Sequence, residues 1–118
     1  MSEAPIGGGG HETDFAAAVE DGPAGEAVVR LRGDIDLGIA TRLSKYLGDL
    51  ARGRNVVVDL RGVRFIDSSG MGVLVRARNT AMANGRDITL RNPGPNVANT
   101  LVVAGLDKVF RIEGQESP

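Results

Sequence analysis

The chain has no cysteine and no tryptophan, and among its 118 residues only one tyrosine, three phenylalanines and one histidine. Without cysteine there is no disulfide framework, no thiolate nucleophile and no cysteine metal site, which fits a reducing cytoplasm. So few aromatics leave little stacking capacity for nucleic acid. Lys plus Arg 14 against Asp plus Glu 15 gives a formal net charge of -1, so no overall field draws in nucleic acid or an anionic membrane. Any partner must be recognised locally. The one histidine, His11, lies in a Gly-rich segment, so a Ser/His/Asp hydrolase has no positioned base. Gly7 to Gly10 lacks the Lys and Ser/Thr of a phosphate-binding loop, and no strand precedes it. No apolar run approaches the roughly 20 residues that span a bilayer, and the start MSEAPIGGGGHETD has neither a basic n-region nor an apolar h-region. The expectation is one soluble, unexported cytoplasmic domain with no membrane or direct nucleic-acid partner, large enough to bury a single core.

What the chain does contain is concentrated between Asn55 and Asn84. Asn55 to Leu60, with three consecutive valines, suits a strand covered on both faces, broken by Arg61 and Gly62. After a short segment from Val63 to Ile66, the residues Asp67, Ser68 and Ser69 all favour helix N-caps, which predicts a helix beginning there. Met71, Leu74, Val75, Arg78, Ala81 and Met82 then step by three and four as a stripe expected to pack on the sheet. The first turn of such a helix offers free N–H groups and a partial positive charge, a favourable place for an anion such as a phosphate on Ser68. Gly70 and Gly72 each cost the helix roughly 1 kcal/mol relative to Ala. They serve either close helix-to-sheet packing or close approach by a partner.

Taken in order, Met1 to Glu12 is expected to be a flexible tail. Asp14 to Val19 and Glu26 to Arg32 read as a hairpin at the sheet edge, joined through Asp21, Gly22, Pro23 and Gly25. Gly33 to Asp36 is then a turn into a helix carrying Ile39, Ala40, Leu43, Tyr46, Leu47 and Leu50. Strand, helix and central strand make a right-handed crossover with parallel pairing. The carboxyl ends of both strands therefore share one edge, which brings Asp36 close to Ser68. Asp87 to Arg91 reads as a further strand, Asn96 to Ala104 as a short helix stopped by Gly105, and Val109 to Ile112 as a last strand, with 113–118 frayed. The fold class is α/β: a mixed sheet of about five strands, mostly parallel after an N-terminal hairpin, packed with at least three helices.

Some residues have plainer readings. An Asp-Ser-Ser run before an apolar stripe by itself reads as a helix cap, and Asp36 by itself as a turn or cap residue. Asp59 is either a paired buried acid or a strand-end carboxylate, and a structural role is preferred. Arg76, Arg78, Arg86 and Arg91 read as solvated surface.

The turn GDID at Gly33 to Asp36, the strand VVVDL at Val56 to Leu60, FIDSSGMGVL at Phe65 to Leu74 and the ending AGLDKVFRI at Ala104 to Ile112 resemble the anti-sigma factor antagonists of bacteria, members of the STAS domain family. The resemblance spans the domain expected over 13–112 and is most specific in DSSGMG. It implies a protein switch and no enzyme: the unmodified protein binds an anti-sigma factor that is also a serine kinase, and so frees a sigma factor. It implies phosphorylation at Ser68 by that kinase, which uses ATP, while this chain needs no cofactor or metal of its own, and reversal by a metal-dependent serine phosphatase. Asp36, Asp67, Ser69, Gly70, Met71 and Gly72 are then the expected partner-binding residues, with Ser69 retained as a cap. The alternative within the fold is a STAS interaction subunit of a larger signalling or transport assembly without a phosphorylation switch.

Overall fold

In the computed structural model, residues 2–4 and 15–114 are described. They form one six-stranded sheet in which spatial order follows chain order. The strands are β1 (Ser2–Ala4), β2 (Ala16–Asp21), β3 (Ala27–Ile35), β4 (Val56–Ile66), β5 (Ile88–Arg91) and β6 (Arg111–Glu113). The helices are α1 (Leu37–Ala51), α2 (Ser68–Ala83) and α3 (Pro95–Val103), followed by one 3-10 turn at Leu106–Lys108. β1 to β3 pair antiparallel, and β3 to β6 pair parallel. The expected hairpin and mixed α/β sheet are therefore present, with one strand more than anticipated. Ser2–Ala4, read from the sequence as part of a flexible tail, forms β1 beside β2. The rest of that segment, His11 included, and 115–118 lie outside the described residues, and Glu113 ends β6.

Alternation explains the core. Ala27, Val29, Leu31 and Ile35 of β3, Val56, Val58 and Leu60 of β4 and Ile88 and Leu90 of β5 join Leu43 and Leu47 of α1, Leu74 and Ala77 of α2 and Leu101 of α3 in one apolar cluster. α1 and α2 pack side by side over it.

Three local expectations are corrected. Gly33 does not end its strand: β3 runs on to Ile35 because it keeps pairing with β4 across two register shifts, and Gly33 takes φ +105° at the second. Likewise Arg61 and Gly62 interrupt β4 only as a bulge, with Gly62 so close to β3 that an added Cβ would lie 2.9 Å from the Leu31 carbonyl oxygen. At the other end, Leu106–Lys108 forms a 3-10 turn after the left-handed Gly105, seats Phe110 in the core and displaces the last strand to Arg111–Glu113.

Candidate functional site

β3 and β4 are parallel neighbours whose last residues, Ile35 and Ile66, are register partners. Each strand passes directly into a helix through one aspartate. Asp36 caps α1, its Oδ1 accepting from the Gly38 amide at 3.0 Å. Asp67 caps α2, its Oδ1 accepting from the Gly70 amide at 3.0 Å. The two turns are tied together where the Asp67 amide donates to the Ile35 carbonyl at 3.2 Å. The structure thus brings Asp36 and the Asp67–Ser68 turn to one edge. Asp34, one position before Ile35, is drawn to Arg64 at 3.3 Å.

The two serines differ in what they touch. Ser69, expected as a cap, does not cap: its hydroxyl donates to Asp67 Oδ1 at 2.5 Å. That hydrogen bond, followed by the Gly70 amide, holds the Asp67 carboxyl below the usual aspartate range. Ser68 is the first helical residue, is exposed, and among the described residues its hydroxyl has no hydrogen-bond partner. It therefore stands free on a helix N-terminus, where N–H groups and the helix dipole favour an added anion.

The glycines separate as well. An added Cβ at Gly70 would lie 2.7 Å from Ile35 Cγ2 and the Ile35 carbonyl oxygen and 2.8 Å from Ile66 Cγ1. Gly70 is buried, taken up by packing of α2 on the strand ends, and so is withdrawn from the partner-binding face anticipated for it. At Gly72 the same Cβ would meet only the Arg76 side chain, with Nη1 at 3.1 Å. Because Gly70 seats the helix so closely, the buried stripe of α2 runs through Gly70, Val73, Leu74, Ala77 and Ala81, which keeps Leu74 and Ala81 of the stripe expected from spacing but replaces Met71, Val75, Arg78 and Met82. Met71 and Val75 are only partly buried, and Met82 is 51% exposed. Met71 thus remains at the rim of the turn.

Two residues of this edge were missed by sequence reasoning. Leu37, the first residue of α1, is 76% exposed, and Phe65, the register partner of Asp34, is 47% exposed. Both are large apolar side chains left exposed beside the polar turns that cap α1 and α2. The available signal was phase: Leu37 lies outside the stripe that begins at Ile39, and Phe65 outside the buried positions Val63 and Ile66. Asp59, by contrast, is buried at mid-sheet, accepting from the Arg61 amide at 2.9 Å with Arg30 Nε at 3.9 Å, a structural placement away from the edge. Among the described residues no cluster of His, Cys, Asp or Glu could hold a metal, and no helix is long and apolar enough to cross a membrane.

Comparison with known proteins gives a consistent picture. The protein-family model described as "Mlab, STAS domain" matches residues 19–112. A STAS-domain containing protein of Pseudomonas aeruginosa is 30% identical over 88 residues, covering 74% of this chain and 87% of that protein. The anti-sigma F factor antagonist of Paenibacillus polymyxa is 26% identical over 95 residues, covering 78% and 81% respectively. The crystal structure of an anti-sigma factor antagonist from Mycobacterium paratuberculosis superposes with a TM-score of 0.75 at 26% identity, over 96% of this chain and 90% of that one.

Proposed function

This chain belongs to the STAS domain family, and from that premise we propose that it is an anti-sigma factor antagonist whose binding is switched by phosphorylation of Ser68. In the unmodified state it binds an anti-sigma factor that is also a serine kinase, and so releases a sigma factor. It acts on transcription through protein contact, as a binding module and not a catalyst. The observation that carries the reading is the difference between the two serines: Ser69 is engaged by Asp67, whereas the Ser68 hydroxyl is exposed and unpartnered among the described residues. In the kinase site the Ser68 Oγ attacks the γ-phosphorus of ATP. The new O–P bond replaces the bond to ADP, and the hydroxyl proton passes to a base of the kinase. A metal-dependent serine phosphatase hydrolyses the phosphoserine and restores the hydroxyl.

The surface offered to the kinase combines exposed Leu37 and Phe65 with the acidic caps Asp36 and Asp67 and the half-buried Met71 and Gly72. Apolar side chains can supply desolvated contact area, while the carboxylates select a partner with basic groups. Phosphorylation adds about -1.5 to -2 charges at neutral pH to an edge that already holds Asp36 and Asp67. The helix N-terminus accommodates that group with little change in fold, so release follows from repulsion and steric exclusion at the interface. The test is intact-mass analysis after incubation with ATP and candidate anti-sigma kinases, using wild type, Ser68→Ala and Ser69→Ala, together with pull-downs of the same pairs. One phosphate absent only from Ser68→Ala, and binding weakened once it is added, is the expected result. Tight binding without phosphate transfer would refute the switch and leave an interaction subunit of a larger assembly.

A further inference from the structure

We propose that Arg76 is the residue that holds a phosphate on Ser68, reaching it along the outer face of α2 across the bare backbone of Gly72. The inference rests on Ser68 being the modified residue. Ser68, Gly72 and Arg76 are four residues apart in succession, and positions so spaced lie one above another on a helix face, with Cβ atoms about 5–6 Å apart. Helical side chains lean toward the N-terminus, so Arg76 points at the turn that carries Gly72. Arg76 shows that lean: an ideal Cβ at Gly72 would lie 3.1 Å from its Nη1 and 3.9 Å from its Cζ. The guanidinium therefore lies over Gly72, one turn from Ser68, in space that any other side chain would fill.

Arg76 is exposed and has no ion pair among the described residues. It borders a groove of about 600 Å³ between α1 and α2, lined also by Thr41, Ser44, Lys45, Asp49 and Arg52. The groove's one carboxylate, Asp49, is engaged by Arg52 at 2.6 Å and Lys45 at 3.3 Å. The other acidic groups near the turn, Asp36 and Asp67, are committed to helix caps. With the guanidinium already over Gly72, one helical turn separates it from Ser68, and a phosphoryl group there meets it in a charge-assisted, bidentate contact. Phosphate and guanidinium together then cover Gly72. The guanidinium that already lies over Gly72 in the unmodified protein is then pinned there by the phosphate, which gives release a steric cause besides charge.

The experiment installs phosphoserine at position 68 of the full chain during synthesis and follows the second ionisation of the phosphate by 31P NMR. The protein background is wild type, Arg76→Gln, Gly72→Leu or Arg78→Gln. A neighbouring cation favours the dianion. The titration midpoint is therefore expected to rise by about half a pH unit in Arg76→Gln, below the 1–3 units of a buried pair because the site is exposed. Gly72→Leu, which keeps the arginine but fills its path, is expected to raise the midpoint likewise. Arg78→Gln removes the same charge from a residue directed at Asp87 and is expected to leave the midpoint unchanged. Coincident midpoints in wild type and Arg76→Gln, or an equal rise in Arg78→Gln, would overturn the proposal. Because no kinase is used, that failure would leave the phosphorylation reading standing, and a failure of every kinase to modify Ser68 would leave this measurement intact.

Discussion

One added methyl group at Gly70 and one at Gly72 are expected to change stability in opposite directions, although both glycines lie in the first two turns of α2. Each Gly→Ala change in a helix interior gains about 0.8–1.0 kcal/mol from backbone propensity alone. At Gly72 the new Cβ meets only the tip of a flexible arginine, at 3.1 Å. The side chain can move aside, so most of the gain should survive, about 0.5–1 kcal/mol. At Gly70 the Cβ would lie 2.7 Å from the Ile35 carbonyl oxygen and from Ile35 Cγ2, where carbon contacts are favourable only near 3.5–4.0 Å. A backbone oxygen in a paired strand cannot rotate away. The first turn of α2 must therefore lift, loosening the bond from the Asp67 amide to that same carbonyl. Overpacking costs about 1–3 kcal/mol, and three contacts below 3.0 Å, one to backbone, put Gly70 in the upper part, about 2–3 kcal/mol; against a propensity gain of about 1 kcal/mol, a net loss of about 1–2 kcal/mol is expected. Thermal and urea unfolding followed by circular dichroism should then show Gly72→Ala melting above wild type and Gly70→Ala below it by about 4–8 °C, at about 4 °C per kcal/mol for a domain of this size. A Gly70→Ala protein as stable as wild type, or shifts of the same sign for both, would refute the packing argument.

Asp67 supplies a pH-dependent contribution. Its carboxyl is held below the ordinary value by the Ser69 hydroxyl and then by the Gly70 amide, so its stabilisation is complete above the unfolded-state value of about 3.9 and is lost as pH falls through the lower folded value. Asp67→Asn should flatten the stability profile below about pH 4 in urea titrations between pH 5 and pH 2, and an unchanged acid limb would count against it. Leu37→Ala should shift the unfolding free energy by no more than about 0.5 kcal/mol, since the side chain is 76% exposed, yet weaken capture of the anti-sigma partner. Equal loss of stability and of binding would mean that Leu37 is structural.

The sequence by itself determined the order of the strands and α-helices from β2 onward, the start of α2 within Asp67 to Ser69 and the meeting of Asp36 with the Asp67–Ser68 turn. Those features are local or topological: apolar spacing selects strand or helix, cap chemistry marks where a helix begins, and a right-handed crossover puts neighbouring parallel strands' ends on one edge. Tertiary structure decided which residues at that edge are spent and which are free. Pairing across two register shifts kept Gly33 to Ile35 in β3 and carried the strand to its buried end. Contact with Ile35 and Ile66 then buried Gly70, turned the α2 stripe toward Val73 and Ala77, and left Gly72 with only the Arg76 side chain above it. Spacing could not distinguish the two glycines or the two serines, because each pair is adjacent or nearly so in the same helix turn. What separates them is the direction in which each residue points relative to strands folded from elsewhere in the chain, and that direction is fixed only when the helix is seated on the sheet.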